Sequence, residues 1–156
     1  MAVAAVHVRS WQEGYRGLIP GSALDAMRPQ DRAARYELGR RGADGPVTVL
    51  ALEGDEIRGF ATVGHARDAS PSGAGELWGL YVDPPSWGRG VGQTLIEHAR
   101  RWLSQQGFAE AILWVLAGNE RAERFYRADG WREDGGRRRG EHWGVMVDER
   151  RYRRVL

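Results

Sequence analysis

Three alternating glycines, Gly88, Gly90 and Gly92, stand between a predicted strand and a predicted helix. The apolar run at residues 76–82 predicts the strand, and a Pro-Pro pair ends it. The helix continues to about Gln105, with apolar residues at helical spacing: Val91, Leu95, Ala99, Trp102 and Leu103. Glycine lets the backbone approach a ligand closely, and the free amides at a helix N-terminus attract anions. The segment therefore predicts a phosphate-binding turn.

This glycine turn does not fit two common nucleotide-binding motifs. A P-loop needs GxxxxGK[ST], whereas the chain has no lysine and all 23 of its basic residues are arginine. A Rossmann turn would lie in the first strand–helix unit, whereas the sequence G-R-G-V-G follows the fourth predicted strand. A P-loop is excluded and a dinucleotide site is disfavoured. A tight turn that binds no ligand stays open as the alternative.

The order of predicted elements indicates a mixed sheet. A short strand at residues 5–9 precedes a helix that starts at the S-x-x-E capping box of Ser10 and Glu13. A short helical turn from Ser22 and a helix over residues 29–41 follow. The later strands are predicted at residues 47–52, 57–64, 76–82, 111–116, 131–133 and 143–148, the last two joined by a loop. Asn119 caps a helix that ends at Gly130. This order predicts one α/β domain, residues 1–156, with helices on both faces of the sheet.

Composition removes several function classes. The chain has 156 residues, a net charge of +2 and no cysteine, which excludes a disulfide scaffold, a thiolate nucleophile and a cysteine-ligated metal. Arginines alternate with 21 acidic residues, which favours neither nucleic acid nor membrane as a partner. No apolar run matches a spanning helix or a signal peptide, so we expect a cytoplasmic protein. The four histidines show no metal spacing and are interpreted as structural or exposed: His7, His65, His98 and His142.

Two motifs resemble those of the GNAT acetyltransferase superfamily. The run ELWGLYVDPPSWGRGVGQTL is similar to motif A, and NERAERFYRADGW is similar to motif B. The segments at both chain ends also look like bacterial members, so the resemblance covers nearly the whole chain. It implies the GNAT fold, an α/β (α+β) arrangement with a mixed, mostly antiparallel sheet of about seven strands. Trp87 departs from the Gln or Arg that motif A has at this position, which leaves a side-chain contact to the cofactor uncertain.

The resemblance implies acetyl-CoA as cosubstrate, and the histidine spacing predicts no metal. Its pyrophosphate would meet main-chain amides of the glycine turn and the helix start, and the pantetheine arm would pair with the strand before it. Asn119 would reach the same arm. The cofactor-binding residues implied in this way are Leu80, Tyr81, Val82, Trp87, Gly88, Arg89, Gly90, Val91, Gly92, Gln93, Thr94, Asn119, Ala122 and Phe125.

Two residues are candidates for the chemistry. In the family, the tyrosine of the motif-B F-Y pair lies near the CoA sulfur, which implies that Tyr126 is a general acid for the leaving thiolate. Glu76 has the spacing to the glycine turn of a family general base, and strand alternation would put it on one face with Trp78, Leu80 and Val82. A core aromatic for Tyr126, and a solvated side chain or a water-chain base in place of Glu76, stay open.

The acceptor side is less readable. Trp11, Tyr15 and Arg16 would wall the acceptor cleft or serve as core and cap. The run Arg137, Arg138 and Arg139 is either a solvated charge run or a site for an acidic acceptor or a CoA phosphate. The predicted function is direct acetyl transfer to a primary amine on a small molecule, peptide or protein, and a homodimer is compatible with it. The alternatives are a CoA-binding regulator without turnover and, less favoured, a nucleic-acid-binding module.

Overall fold

A computed structural model describes residues 1–34, 45–67 and 73–156. Within these ranges six strands form one sheet in the order β1-β2-β3-β4-β6-β5. The strands are β1 (Val47–Glu53), β2 (Glu56–His65), β3 (Gly75–Val82), β4 (Glu110–Leu116), β5 (Arg132–His142) and β6 (Val145–Val155). Only the β3–β4 pair is parallel, so the sheet is mixed and mostly antiparallel, as predicted.

Five α-helices cover the two faces of the sheet within the same ranges: α1 (Ala2–Gly14), α2 (Gly21–Ala26), α3 (Pro29–Ala33), α4 (Val91–Gln105) and α5 (Glu120–Ala128). The side of α4 and α5 holds the larger core, where Leu95, Ala99 and Leu103 of α4 pack on the sheet. The α1 side holds smaller apolar clusters around Trp11. No helix within these ranges is long and apolar enough to cross a membrane.

The N-terminal segment differs from its prediction. Residues 5–9, predicted as a strand, lie inside α1, which begins at Ala2 rather than at Ser10. The valine-rich run resembles a strand locally, but the buried residues lie along one broad side of a helix: Val3, Ala4, Val6, His7, Val8, Ser10 and Trp11. The Ser10 hydroxyl donates to the Val82 carbonyl oxygen at 2.7 Å and does not cap a helix. Tertiary packing therefore overrides the local pattern, and six strands replace the expected seven.

The C-terminal segment forms one long hairpin. Residues 134–141, predicted as a loop, belong to β5, and residues 137–141 pair with β6. Cross-strand ion pairs of Arg138 with Glu149 and of Arg139 with Asp148 stabilise this polar stretch, although glycine disfavours strands. At the other end of the chain, α3 covers the start of the helix predicted over residues 29–41. Residues 35–41 lie outside the described residues.

A cleft opens where the two parallel strands separate. The β3–β4 pairing spans only Gly75–Leu77 against Ala111–Leu113, and beyond it the strands diverge. Along β3, Thr62 faces Gly79 while Val63 faces Leu77, so Trp78 is a bulge residue. The bulge shifts the alternation of side chains by one position. Residues after it consequently face the opposite side from the one that simple alternation predicts.

Candidate active site

A cavity of about 310 Å³ occupies the cleft between β3 and β4. Residues of α1 close it on one side, and the β5–β6 hairpin closes it on the other. At one end lie Trp87 and the first turns of α5. The lining residues include several of the predicted site residues: Leu80, Tyr81, Val82, Trp87, Asn119, Ala122 and Tyr126.

The glycine turn has the backbone that its sequence requires. Gly88 and Gly90 have φ angles of 73° and 83°, a region that glycine adopts without steric cost. Gly90 is the N-cap of α4, and no side chain caps this helix. A Cβ atom at Gly88 or Gly90 would meet nothing within 4 Å. The open turn and the uncapped 15-residue helix fit an anionic phosphate group.

The remaining predicted residues of this turn differ in their contacts. Arg89 pairs with Glu53, Gln93 donates to Glu97 at 2.9 Å, and the Thr94 hydroxyl donates to the Gly90 carbonyl. All three side chains are exposed. Val91 packs against the main core, and a Cβ at Gly92 would lie 3.3 Å from the Phe125 ring. Gly92 therefore allows α4 to approach α5 closely, which is a packing role as well.

Trp87 has a definite structural contact. Its indole N–H donates to the Val82 carbonyl at 2.7 Å, and the same oxygen accepts from Ser10. A carbonyl oxygen has two lone pairs, so both are used. The Val82 carbonyl is therefore already bonded, and the pairing of this strand with the pantetheine arm stays a prediction. The Arg121 guanidinium stacks over the Trp87 ring.

The β3 side chains do not share the face predicted for them. Leu80 and Val82 pack toward the main core with Leu77, whereas Tyr81 packs toward α1. The bulge at Trp78 causes this change. Because Leu80, Tyr81 and Val82 lie beyond the β3–β4 pairing, their backbone borders the cavity on the β4 side. The strand edge remains available there for an added extended chain.

The start of α5 meets the same cavity. The Asn119 side-chain oxygen accepts a hydrogen bond from the Ala122 amide at 3.1 Å, as expected of an N-cap. Tyr126 lies one turn beyond Ala122 and is 9% exposed. Its ring contacts Phe125 and Trp131 edge-on. Burial, assisted by Tyr81, raises the pKa of the Tyr126 phenol, so the hydroxyl is protonated throughout the neutral range.

Glu76 lies outside the cavity. Its side chain is fully buried, and Arg67 binds it through the backbone amide at 2.8 Å, the Nε at 3.0 Å and a guanidinium nitrogen. Arg67 and Trp78, which stack on each other, line the cavity in its place. The expectation that the Glu76 carboxylate faces the cofactor cleft is wrong, because the bulge puts Leu80 and Val82 on the opposite face. Its role as a base stays a prediction.

Aromatic side chains line the α1 half of the cavity. Trp11 contacts Tyr15 at a centroid distance of 4.5 Å and Trp143 at 6.4 Å, and His7 stacks on Tyr81 at 4.0 Å. Trp143 has a φ of 55°, which is costly for a bulky residue. Arg16 lies beyond the end of α1, pairs with Glu13 of that helix and does not line the cavity. The sequence thus identified Trp11 and Tyr15 but not Trp143.

Four polar residues of the hairpin complete the wall: Arg138, Glu141, His142 and Glu149. Arg138 Nε donates to Glu149 at 2.6 Å, and His142 Nε2 lies 3.3 Å from the other carboxylate oxygen. Burial raises the pKa of Glu149, but hydrogen bonds from His142 and Arg138 outweigh burial and hold it below its ordinary value. The sequence did not predict the cluster of Arg138, His142 and Glu149, because the segment whose pairing with β6 brings these residues together was predicted as a loop. Arg137 and Arg139 pair with Glu133 and Asp148.

Comparison with known sequences gives a consistent result. The family model described as "Acetyltransferase (GNAT) family" matches residues 8–131. An uncharacterized N-acetyltransferase of Archaeoglobus fulgidus is 33% identical over 83% of this chain and 88% of its own length. The uncharacterized N-acetyltransferase YuaI of Bacillus subtilis is 29% identical over 75% of this chain and 66% of its own. The mycothiol acetyltransferase of Saccharopolyspora erythraea is 34% identical over 51% of this chain, but only 25% of that protein is covered.

Solved structures share the fold. The PaiA N-acetyltransferase of Thermoplasma acidophilum, solved in complex with coenzyme A, has a TM-score of 0.76 at 18% identity. The match covers 99% of this chain and 91% of that one. A ribosomal-protein-alanine N-acetyltransferase of Brucella melitensis has a TM-score of 0.70 at 21% identity, over 99% of this chain and 95% of that one. At these identities the likeness concerns the fold.

Proposed function

The chain belongs to the acetyltransferase (GNAT) family, and we propose that it transfers the acetyl group of acetyl-CoA to a primary amine by direct attack. The observation that carries the proposal is a cavity lined by the edge of β3 beyond the β3–β4 pairing and by the protonated Tyr126. Trp87 lines this cavity and directly precedes the third part, the open glycine turn beside the uncapped start of α4. Each part suits one portion of a CoA thioester.

The glycine turn and the start of α4 would hold the pyrophosphate. The space beside the backbone of Gly88 and Gly90 is open. Backbone amides in such a turn can bind a phosphate without a lysine side chain. The backbone of Leu80 and Tyr81 would pair with the pantetheine arm. The Val82 carbonyl is left out of this role because Ser10 and Trp87 occupy it.

Bound acetyl-CoA supplies a thioester carbonyl, which the amine nitrogen attacks as the carbon–sulfur bond breaks. Tyr126 gives its phenolic proton to the leaving thiolate. Its raised pKa keeps the phenol protonated before the carbon–sulfur bond breaks. Cysteine is absent from the chain, which supports direct transfer without a thioester on the protein. The single domain over residues 1–156 and a cytoplasmic location accompany this proposal.

The test is an amine screen with detection of released CoA thiol. The panel contains spermidine, tyramine, glucosamine, a lysine peptide and an alanine-initiated peptide, the last because one structural neighbour is named for ribosomal-protein alanine. It also contains the amine substrate of mycothiol acetyltransferases, since sequence relatives bear that name. Thiol release with any amine supports the proposal. Acetyl-CoA binding without thiol release from the whole panel would favour a CoA-binding regulator.

A pair of glycine variants tests the cofactor site separately. Gly90→Ala puts a methyl group into the proposed phosphate site, whereas Gly107→Ala makes the same change at a φ of 86° beyond the end of α4. Both positions are open, so the two variants carry a similar backbone cost. We expect acetyl-CoA to raise the melting temperature of wild type and Gly107→Ala much more than that of Gly90→Ala. Equal shifts in the two variants would contradict the proposed phosphate site.

A further inference from the structure

His142 and Glu149 form a side-chain pair on the cavity-facing side of the hairpin. His142 ends β5, and Glu149 lies opposite Arg138 in the β5–β6 register. Gly140 stands between Arg138 and His142 on the same face, and a Cβ there would lie 3.4 Å from the Glu149 carboxylate and 3.5 Å from His142 Nε2. Gly140 therefore lies directly against the pair, at ordinary contact distance.

The pair fixes the tautomer of His142. Arg138 holds one oxygen of Glu149, and the Glu149 side chain is 8% exposed. An ionised carboxylate only accepts hydrogen bonds, so His142 Nε2 carries the hydrogen and donates it across 3.3 Å. The lone pair of the neutral ring is then on Nδ1. The His142 side chain is 33% exposed and lines the cavity, where this lone pair can meet a ligand.

Glu149 lines the same cavity as Tyr126, the proposed acid, and as Tyr15 and Tyr81. Burial raises the pKa of Tyr15, and Glu149 raises it further. Burial also raises the pKa of Tyr81, to which Glu149 adds.

The other basic or acidic groups near His142 are bound, permanently charged or exposed. On α1, His7 accepts from Arg32 Nε through Nδ1 at 3.1 Å, and burial holds the pKa of His7 well below its ordinary value. Glu76, which Arg67 binds, lies outside the cavity. Arg138 is a permanent cation, and Glu141 lines the cavity but is exposed to solvent. Among these groups, the Nδ1 of His142 is left to accept a proton.

We infer that His142 is the general base that deprotonates the acceptor ammonium, and that Glu149 is a positioning residue that orients its ring. The inference rests on the proposed acetyl transfer. His142 Nδ1 takes one proton from the ammonium and releases it to water. The nitrogen then forms its bond to the acetyl carbon as the carbon–sulfur bond breaks. Its second proton replaces the one that Tyr126 gives to the thiolate, which leaves an amide, a CoA thiol and one released proton.

The experiment compares His142→Ala and Glu149→Gln with His98→Ala, which removes an exposed histidine of α4 outside the cavity. Each protein is assayed across pH with acetyl-CoA and the fastest amine of the panel, with and without added imidazole. Acetyl-CoA binding is followed by thermal shift. The Glu149 carboxyl is titrated by carbon-13 NMR in wild type and His142→Ala, which measures the pairing without turnover.

We expect His142→Ala to lower kcat by roughly 10²-fold or more, to lose the acidic limb of the profile and to recover activity with imidazole. Acetyl-CoA binding should be unchanged, and the Glu149 pKa should rise because a hydrogen bond is lost. Glu149→Gln should retain part of the activity, and His98→Ala all of it.

Two failures are distinguishable. Active wild type with unchanged activity or an unchanged acidic limb in His142→Ala would overturn this inference alone. Wild type that binds acetyl-CoA but acetylates no amine would overturn the proposed function and this inference with it. An unchanged Glu149 pKa in His142→Ala would overturn the positioning role of Glu149.

Discussion

The guanidinium of Arg121 lies 3.6 Å from the centre of the Trp87 ring, while the indole N–H of Trp87 donates to the Val82 carbonyl. One side chain thus joins the start of α5 to the end of β3, beside the glycine turn. The motif to which this turn belongs has Gln or Arg at the Trp87 position. The substitution replaces a flexible polar side chain with a fixed aromatic one that supports a cation.

Two variants of Trp87 separate its contacts. Trp87→Phe keeps a ring beneath Arg121 and removes the N–H, so the free energy of unfolding should fall by about 1 kcal/mol with little change in acetyl-CoA affinity. Trp87→Ala also removes the cation–π contact and should weaken acetyl-CoA binding, because Arg121 loses its support. Urea unfolding and calorimetric titration measure both effects. Equal acetyl-CoA affinities for Trp87→Ala and Trp87→Phe would contradict a role for the stacked pair.

Tyr126→Phe should lower kcat by about 10²-fold and leave acetyl-CoA affinity unchanged, because the ring stays and only the proton donor is lost. Since burial raises the pKa of Tyr126, its ionisation should not produce a basic limb near neutral pH. Tyr152→Phe is the matched control, because Tyr152 is buried, accepts from Arg127 and lies outside the cavity. Wild-type turnover in Tyr126→Phe would remove this residue from the mechanism.

Glu76→Gln tests the base predicted from spacing. Because Arg67 binds this buried carboxylate, we expect the substitution to lower the free energy of unfolding by roughly 1–3 kcal/mol and to change kcat little. Asp83→Asn is a suitable control, since Arg9 binds that buried carboxylate outside the cavity. Urea unfolding and pH–rate profiles distinguish the roles. A loss of kcat in Glu76→Gln that also removes the acidic limb of the pH–rate profile, absent from Asp83→Asn, would establish Glu76 as the base after all.

Trp143 should respond to glycine and alanine in an unusual order. At the φ of 55° found at this position glycine is unstrained. The free energy of unfolding of Trp143→Gly should therefore be about 1 kcal/mol higher than that of Trp143→Ala. At Leu52, an exposed strand residue, alanine should be the more stable of the two. Urea unfolding of the four variants checks both orders. If Trp143→Ala is as stable as Trp143→Gly, the left-handed backbone at this turn is not a constraint.

The sequence predicted the elements whose signals are local. The hairpin of β1 and β2, the glycine turn, α4 and the Asn119 cap follow from periodicity and capping, and each is confirmed in the fold. The failures depend on distant partners. Residues 5–9 became helical because their buried face packs on the sheet, and β5 extends because arginines pair with acids across the strands.

The candidate site divides in the same way. The two family motifs identified Trp87, Asn119 and Tyr126, which line the cavity. The bulge at Trp78 was not predicted, although Gly79 beside it is the residue type that often marks one, and it changed the predicted face of β3. His142 and Glu149 are seven residues apart, and only the hairpin register brings them together. A register error of one position would have sent them to opposite faces.

Acid should destabilise the fold partly through His7. Burial, with the charges of Arg32 and His142, holds its pKa well below the ordinary value of 6.5, so the folded protein keeps it neutral. Below pH of about 6.5 the unfolded chain takes up a proton that the folded chain does not. The free energy of unfolding should therefore fall by up to about 1.4 kcal/mol per pH unit through this window.

His7→Gln removes the ionisation and should flatten this part of the curve of unfolding free energy against pH, while the exposed His98→Gln should not. Glu149, whose pKa is lowered, contributes a loss in all three proteins, so the difference between the curves isolates His7. Parallel curves for wild type and His7→Gln between pH 7 and the acid transition would mean that His7 ionises freely in the folded state.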